Sequence, residues 1–159
     1  MHPNPAFRSE DEAANLKFAA ERGFGMLTAG GAEGPLAAHV PFLLETGHAD
    51  LHLARSNALG RAVVAAGRLP AIIAVSGPDC YISPDWYGTP DQVPTWNYVA
   101  VHLRGVLEPL PETALQRIVD AVSAHHEARL LPKTPWVSTK MSAGVMERML
   151  RMILPFRLH

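Results

Sequence analysis

Between residues 25 and 107 the chain alternates short apolar segments with turns that contain glycine or proline, a pattern typical of antiparallel β-structure. The strand-like segments cover residues 25–29, 36–44, 50–54, 70–76 and 98–107. A short helix interrupts them between Asn57, a good N-cap, and Gly67, a good residue to follow a helix. This order favours a small antiparallel barrel with flanking helices, of mainly β or α+β class.

Helices are predicted near both ends of the chain. Ser9 and Glu12 fit a capping box that would start a first helix, and Gly23 would terminate that helix. Towards the other end, apolar residues at helical spacing predict two more helices, which cover residues 111–131 and 142–152.

The bulk properties suit a single globular domain over residues 1–159, because 48% of the residues are hydrophobic and only 18% are charged. With 14 basic and 15 acidic side chains, the formal net charge of −1 shows no basic excess of the kind that DNA-binding domains carry. The one cysteine, Cys80, excludes an intrachain disulfide and suits a reducing compartment. Neither a signal peptide nor a membrane-spanning run is recognisable, so we expect a cytoplasmic protein without membrane contact.

A candidate anion site lies in HLARSN, residues 52–57, where a strand is predicted to meet a helix. The first amides of a helix are unpaired, and its dipole there favours an anion. Arg55 adds donors that match a phosphate, and Ser56 adds a hydroxyl. The alternative is that Asn57 only caps the helix and Arg55 is a solvated charge, which the residues alone favour. His52 alternates with two leucines and therefore faces away from them.

Aromatic side chains are concentrated in CYISPDWYG, residues 80–88, and PTWNYVAVHLRG, residues 94–105, which hold all three tyrosines and two of the three tryptophans. In a strand, Trp96 and Tyr98 share one face and Asn97 lies on the other. Such a face could cover a planar heterocycle, while the amide reads the edge of its ring. The alternative is that the aromatic residues fill the core or a dimer interface, which composition alone favours.

Other catalytic or metal-binding patterns are absent from the sequence. There is no P-loop, no zinc-ligand spacing and no pairing of a nucleophile with a base, so no metal site and no catalytic residue is predicted. The adjacent His125 and His126 would lie about 100° apart on a helix, which is poor geometry for a shared metal ion.

The segments HLARSN, VSGPDCYISPDWY and VPTWNYVAVHLRG resemble, in order and spacing, the motifs of the PaiB-type FMN-binding negative transcriptional regulators. AAHVPFLL and the closing RMILPFRLH fit the same pattern, so the resemblance covers nearly the whole chain. It implies an FMN-binding split β-barrel of the pyridoxamine-phosphate-oxidase-like kind. Such proteins are typically homodimers with two flavin sites at the interface, each built from both subunits.

The resemblance also implies which residues would hold FMN. In that superfamily the phosphate is bound by polar and basic residues near the junction of the third strand with the helix. Here those positions are Arg55, Ser56, Asn57 and Arg61. Thr95, Trp96 and Asn97 would approach the cofactor ring or the dimer seam. The resemblance therefore strengthens the anion site already inferred from the helix end.

Three functions remain open from the sequence. The first is a dimeric FMN-binding protein with a regulatory or redox role. The second is a haem protein like the PaiB-like piperazate synthases, in which the histidine matching His52 belongs to the haem site. The third is an interaction module without a cofactor, in which Lys140, Arg148 and Arg151 contact nucleic acid or a partner protein. Family members usually continue past PFRLH with a strand that carries a KLSQN-like motif, so we expect either that a sequence ending at His159 is truncated or that the protein lacks that part of the site.

Overall fold

Six antiparallel strands close into a barrel in the computed structural model, which describes residues 11–159. The strands are β1 (Phe24–Gly31), β2 (Gly34–Glu45), β3 (His48–Ala54), β4 (Leu69–Ile82), β5 (Thr95–Pro109) and β6 (Ile153–Leu158). The α-helices are α1 (Glu12–Arg22), α2 (Ala58–Ala66), α3 (Leu115–Glu127) and α4 (Val145–Leu150). Around the barrel the strand order is β1-β2-β3-β6-β5-β4, with β4 paired to β1. The predicted antiparallel barrel with flanking helices is confirmed.

The barrel interior is filled by the inward face of each strand, because side chains alternate between the two faces of a strand. In β3, Leu51 and Leu53 are buried, whereas His52 between them lies on the outer face and is half-buried. The same alternation in β4 buries Ile73 and Val75. Other large buried side chains of this core are Leu27, Val40, Phe42, Leu107, Phe156 and Leu158.

Capping residues set the ends of the first two helices. Asp11 caps α1, since its carboxylate accepts a hydrogen bond from the amide of Ala14 at 2.9 Å. The predicted cap, Ser9, lies outside the described residues. Gly23 ends α1 in the left-handed conformation, at φ 55°, as predicted. Asn57 caps the start of α2, as predicted.

Closure of the barrel depends on β6, a strand that the periodicity of the sequence did not identify. It lies between β3 and β5, with Leu51 opposite Phe156 and Leu107 opposite Leu158. The six residues are too few to show a clear period, and Pro155 lies among them. Their strand conformation is set by two neighbours that are distant in sequence.

Strand β5 is longer than predicted, β4 continues to Ile82, and the two strands extend past the barrel as a two-stranded ribbon. β4 pairs with β1 only from Ala71 to Ala74, but its pairing with β5 continues to Ile82 opposite Thr95. A register shift between Ser76 and Asp79 marks an irregularity in this ribbon. The ribbon, residues 75–82 and 95–101, is thus paired only with itself.

The helices occupy separate parts of the barrel surface. α3 packs against β2, β3 and β6 and buries Leu115, Ile118 and Val122. α4 is shorter than predicted because Gly144, at φ 76°, is outside the helical region. None of the helices within residues 11–159 has the length and apolar content needed to cross a bilayer.

Candidate functional site

The predicted anion site is a tight turn between β3 and α2. β3 ends at Ala54, and α2 begins four residues later. The backbone amide of Arg55 donates to the carbonyl of Met152, and that of Asn57 donates to the carbonyl of Ala54, both at 2.9 Å. These bonds fix the turn against the segment that leads into β6. We refer to residues 54–61 as the β3–α2 junction.

The guanidinium of Arg55 binds a carboxylate at this junction. Its Nη2 lies 2.7 Å from Oε2 of Glu112, which is in the 3₁₀ turn that precedes α3. Its Nε donates to the backbone carbonyl of Arg151 at 2.6 Å. The Arg55 side chain remains 40% exposed. A guanidinium fork that is fixed by backbone and open to solvent can hold a carboxylate or a phosphate oxygen.

The expectation that the first amides of α2 all face outward for an anion is wrong for two of them. The side-chain oxygen of Asn57 accepts hydrogen bonds from the amides of Leu59 at 2.9 Å and Gly60 at 3.3 Å. Asn57 therefore acts as a helix cap, and its amide oxygen is not free for a ligand. What remains at this helix end is the positive end of the dipole and the arginine side chains.

The residues predicted to hold a phosphate lie together. Arg61, one turn into α2, donates from Nη1 to the carbonyl of Ser56 at 2.5 Å. Ser56 is exposed and lies between Arg55 and Asn57 in the turn. Arg61 is thus anchored to a carbonyl of the junction and Arg55 to the Arg151 carbonyl outside it, and the two guanidiniums concentrate positive charge at the junction.

His52 lies three residues before Arg55, on the outer face of β3 opposite Pro155 of β6. Its Nδ1 is buried and has no hydrogen-bond partner. Burial lowers the pKa of the His52 imidazole, so the ring is neutral at pH 7. A neutral imidazole with an unpaired nitrogen has the protonation state that a metal ligand requires.

The aromatic residues of the ribbon are exposed, so the interpretation that they fill the core is wrong. Trp96 is 55% and Tyr98 58% exposed. The indole of Trp96 donates from Nε1 to Oδ1 of Asp79 at 3.0 Å, and its ring meets that of Tyr81 edge-on at 6.1 Å between centroids. Asn97, also exposed, pairs across the ribbon with Cys80. The indole is thus held in place while much of its surface remains exposed.

One copy of the chain does not bring the two groups of predicted residues together. Thr95, Trp96 and Asn97 start β5, whereas Arg55 is bonded to Glu112, which follows the end of the same strand. β5 has 15 residues, so at about 3.3 Å per residue roughly 45 Å of strand lies between its two ends. Whether these residues share one site therefore depends on a second copy of the chain.

Asp50 is the buried charge that sequence reasoning missed. It is fully buried on the outer face of β3 and accepts hydrogen bonds from Arg157 of β6 and Arg117 of α3. Burial alone would raise the pKa of the Asp50 carboxyl, but hydrogen bonds and charges from the two arginines outweigh it and hold the pKa below its usual range. The partners are far apart in sequence, so only the fold reveals the cluster.

Asp50 also belongs to a group of three possible metal ligands, but this group does not make a good metal site. Glu45, His48 and Asp50 place one ligand atom each within 4.8 Å of one another. The Asp50 oxygens are, however, already bound by two guanidiniums, whose positive charge opposes a cation. Nε2 of His48 lies 2.9 Å from Glu45 and 3.8 Å from Asp50. We assign this cluster a structural role.

Comparison with known proteins supplies the family. Residues 1–159 match the family model described as "Putative FMN-binding domain". Because the match covers the whole chain, the chain belongs to this family of FMN-binding domains. The protease synthase and sporulation protein PAI 2 of Bacillus subtilis is 29% identical over 145 residues, which are 89% of this chain and 68% of that protein. This bears out the PaiB-type resemblance.

Solved structures support the split-barrel fold. The FAD and haem binding protein from Mycobacterium smegmatis superimposes with a TM-score of 0.64 at 15% identity, over 94% of this chain and 66% of that chain. A haem binding protein from the same organism superimposes with a TM-score of 0.52 at 21% identity, over 99% of this chain and 52% of that chain. The chain thus spans about two thirds and about half of these proteins. At such identities the similarity shows the fold alone.

Proposed function

We propose that this chain binds FMN through its phosphate at the β3–α2 junction. The observation that carries the proposal is the Arg55 guanidinium, which is fixed by the Arg151 carbonyl and already holds the carboxylate of Glu112 at 2.7 Å. Family membership supplies the identity of the cofactor. A junction whose arginine pairs with a carboxylate has the donors that a phosphate monoester needs.

The residues present suit the phosphate end of FMN. Arg55 and Arg61 are both anchored at the junction, and the N-terminal end of α2 adds a positive dipole. A phosphate monoester carries a charge of about −1.5 to −2 at pH 7, which complements two guanidiniums. Ser56 is exposed beside them and can donate its hydroxyl.

The flavin ring needs an apolar or aromatic surface in addition to the charged groups of the junction. Trp96 and Tyr98 form an exposed aromatic face on the ribbon, at the far end of β5, and Asn97 is exposed on the opposite face. Exposed aromatic patches of this kind mark interaction sites. We therefore include a homodimer in the proposal, with the phosphate held by Arg55 of one copy and the ring covered by the ribbon of the other.

The outer face of β1 supports the same arrangement. Phe24 and Met26 are exposed there, and Met26 is flanked across the strands by His39 and Ala74. Strand faces that lie against solvent normally carry polar side chains, whereas this one is largely apolar. A second copy packed on this face would bury it.

Bound FMN supplies hydride or electron transfer, and the protein supplies position and electrostatics. The residues of the junction would bind and orient the phosphate, and the ribbon would exclude water from the ring. No side chain of the described residues is assigned as a catalytic acid or base. The role of the flavin, regulatory or redox, remains part of the proposal. The resemblance to negative transcriptional regulators favours a regulatory role, whereas the net charge of −1 does not favour direct DNA binding.

A second candidate is a haem protein with His52 as the axial ligand. The observation that favours it is the buried, unpaired Nδ1 of His52, together with a lowered pKa that keeps the ring neutral. The two candidates use different residues, so one spectroscopic experiment separates them.

The purified protein would be incubated with FMN and, separately, with haem, and its visible spectrum recorded after gel filtration. We expect a retained flavin doublet that persists in His52→Ala and is lost in Arg55→Ala. Arg68→Ala, which removes an exposed arginine outside the junction, serves as the matched control. A Soret band that disappears only in His52→Ala would favour the haem candidate. A protein that retains neither cofactor would refute both.

Direct DNA binding needs a separate experiment, which measures the affinity for a promoter fragment at several salt concentrations. A regulator that contacts DNA would bind a promoter fragment with an affinity that falls steeply as salt rises. Replacement of Lys140 and Arg148 by alanine would reduce that salt dependence. Absence of such binding while FMN is retained would leave a flavin protein that acts through redox chemistry or through a protein partner.

A further inference from the structure

The carboxylate of Glu112 occupies the position at Arg55 that a phosphate oxygen would take. Oε2 of Glu112 lies 2.7 Å from Nη2 of Arg55, a distance typical of a charge-assisted hydrogen bond. The Nε of the same guanidinium is committed to the Arg151 carbonyl at 2.6 Å. Nη2 is therefore a donor that Glu112 and a ligand phosphate would both use.

Glu112 is well placed to give up this contact. It is the first residue of the 3₁₀ turn Glu112–Ala114, and its side chain is 61% exposed. An exposed ion pair of this kind is weak and is screened by salt. The side chain is also long and rotatable, so it can leave Arg55 without a change in the backbone.

A phosphate monoester has the properties needed to displace the carboxylate. It carries more negative charge than a carboxylate and three strong acceptor oxygens in place of two. If Glu112 stayed in place, its charge would repel an incoming phosphate. Glu112 therefore competes with the phosphate for Nη2 of Arg55 and repels it, and both effects lower the affinity.

We infer that Glu112 is an internal competitor for the phosphate at Arg55, an inference that rests on the proposed function. Without a phosphate, the Glu112 carboxylate neutralises Arg55. In the complex, the phosphate takes the place of this carboxylate at Arg55. The charge of Glu112 sets the affinity for a phosphorylated flavin without affecting the affinity for a flavin that lacks phosphate. The alternative is that Glu112 positions Arg55, in which case its loss would weaken binding.

The test compares FMN with riboflavin, which lacks the phosphate, in titrations followed by flavin fluorescence. Glu112→Gln removes the charge and keeps the shape. Glu21→Gln is the matched control, because Glu21 is 65% exposed and also makes an exposed ion pair, with Lys17 on α1. We expect FMN to bind about two- to fivefold more tightly to Glu112→Gln than to the wild type, as the loss of a weak competing pair predicts. Riboflavin affinity should be unchanged in both variants, and FMN affinity unchanged in Glu21→Gln.

FMN binding that is unchanged or weaker in Glu112→Gln would overturn the inference and leave the proposed function standing. Inorganic phosphate provides a readout that does not depend on flavin, through the NMR resonance of the Arg55 Nε–H group. The inference predicts that this resonance responds to phosphate at lower concentrations in Glu112→Gln. If the wild type bound no flavin but gave this phosphate response, the proposed function would fail and the competition would stand. No response in either variant would refute the inference.

Discussion

Arg157 donates hydrogen bonds to both carboxylate oxygens of Asp50, from Nε to Oδ1 at 2.7 Å and from Nη2 to Oδ2 at 3.0 Å. This bidentate pair links β6 to β3 beneath α3, and Arg117 of α3 donates to the same carboxylate. Asp50 has no exposed surface. The pair therefore fixes the last strand of the barrel and the helix that covers it, and it stabilises the segment that carries the Arg151 carbonyl.

Loss of the Asp50 charge should destabilise the fold. In Asp50→Asn two partly exposed guanidiniums lose a buried counter-charge, and because solvent screens the arginines we expect a cost of about 2 kcal/mol, less than for a fully buried pair. Urea unfolding at pH 7 should report a loss of this size. Asp91→Asn is the control, because Asp91 is exposed at φ 60° and asparagine tolerates that conformation equally well. A loss in Asp50→Asn no larger than in the control would contradict the assigned role.

The same carboxylate predicts acid sensitivity. The pKa of Asp50 is lowered in the folded protein from an ordinary value of 3.8, so its contribution to stability is complete above that value. It is lost as the pH falls through the folded pKa. The stability difference between wild type and Asp50→Asn should therefore shrink below about pH 4. Unfolding free energies measured at pH 6 and pH 3 would check this, and a difference that stayed constant would be inconsistent with it.

His52 should contribute a second pH dependence of its own. Burial lowers its pKa from an ordinary 6.5, so the unfolded chain takes up a proton more readily and stability falls as the pH drops below that value. His52→Leu removes both this titration and the unpaired Nδ1. We expect a stability at pH 7 within about 1 kcal/mol of the wild type and a flatter profile between pH 7 and 5. An unchanged slope in thermal melts across that range would count against a buried neutral imidazole.

Much of the local structure follows from the sequence, because its causes are local. Asn57 and Gly23 mark helix ends through their own side-chain and backbone preferences, and both do so in the structure. The clustering of Arg55, Ser56 and Arg61 follows from the same short turn. These features require only neighbouring residues, so pattern and capping rules were sufficient to predict them.

Other features depend on partners far along the chain. Phe156 belongs to a strand because β3 and β5 flank it, and Asp50 is buried because α3 and β6 bring arginines to it. The exposure of Trp96 could not be predicted from the alternation of side chains along β5. This alternation is the same in an exposed ribbon as in the wall of a barrel. The single-domain extent and the joint FMN site of two copies stay predictions.

Trp96 should matter for association rather than for folding. Since the indole is 55% exposed in one copy of the chain, Trp96→Ala should leave thermal stability of the dilute monomer nearly unchanged. Sedimentation should show a dimer for the wild type and at least a tenfold weaker dimer for Trp96→Ala, as expected for an aromatic anchor at an interface. Trp136→Ala is the matched control, because Trp136 is half-buried and its loss should lower stability without affecting association. A wild type that stays monomeric at high concentration would refute the dimer.

The central claim is that Arg55 of one copy and the ribbon of another hold the same FMN. Mixing Arg55→Ala with Asn97→Ala tests it most directly, by measuring FMN retained after the subunits have exchanged. Each variant alone should lose the cofactor, whereas a mixed dimer carries one site in which both residues are intact. With random exchange about a quarter of the wild-type binding should return. No recovery after verified exchange, or full retention by Asn97→Ala alone, would contradict the claim.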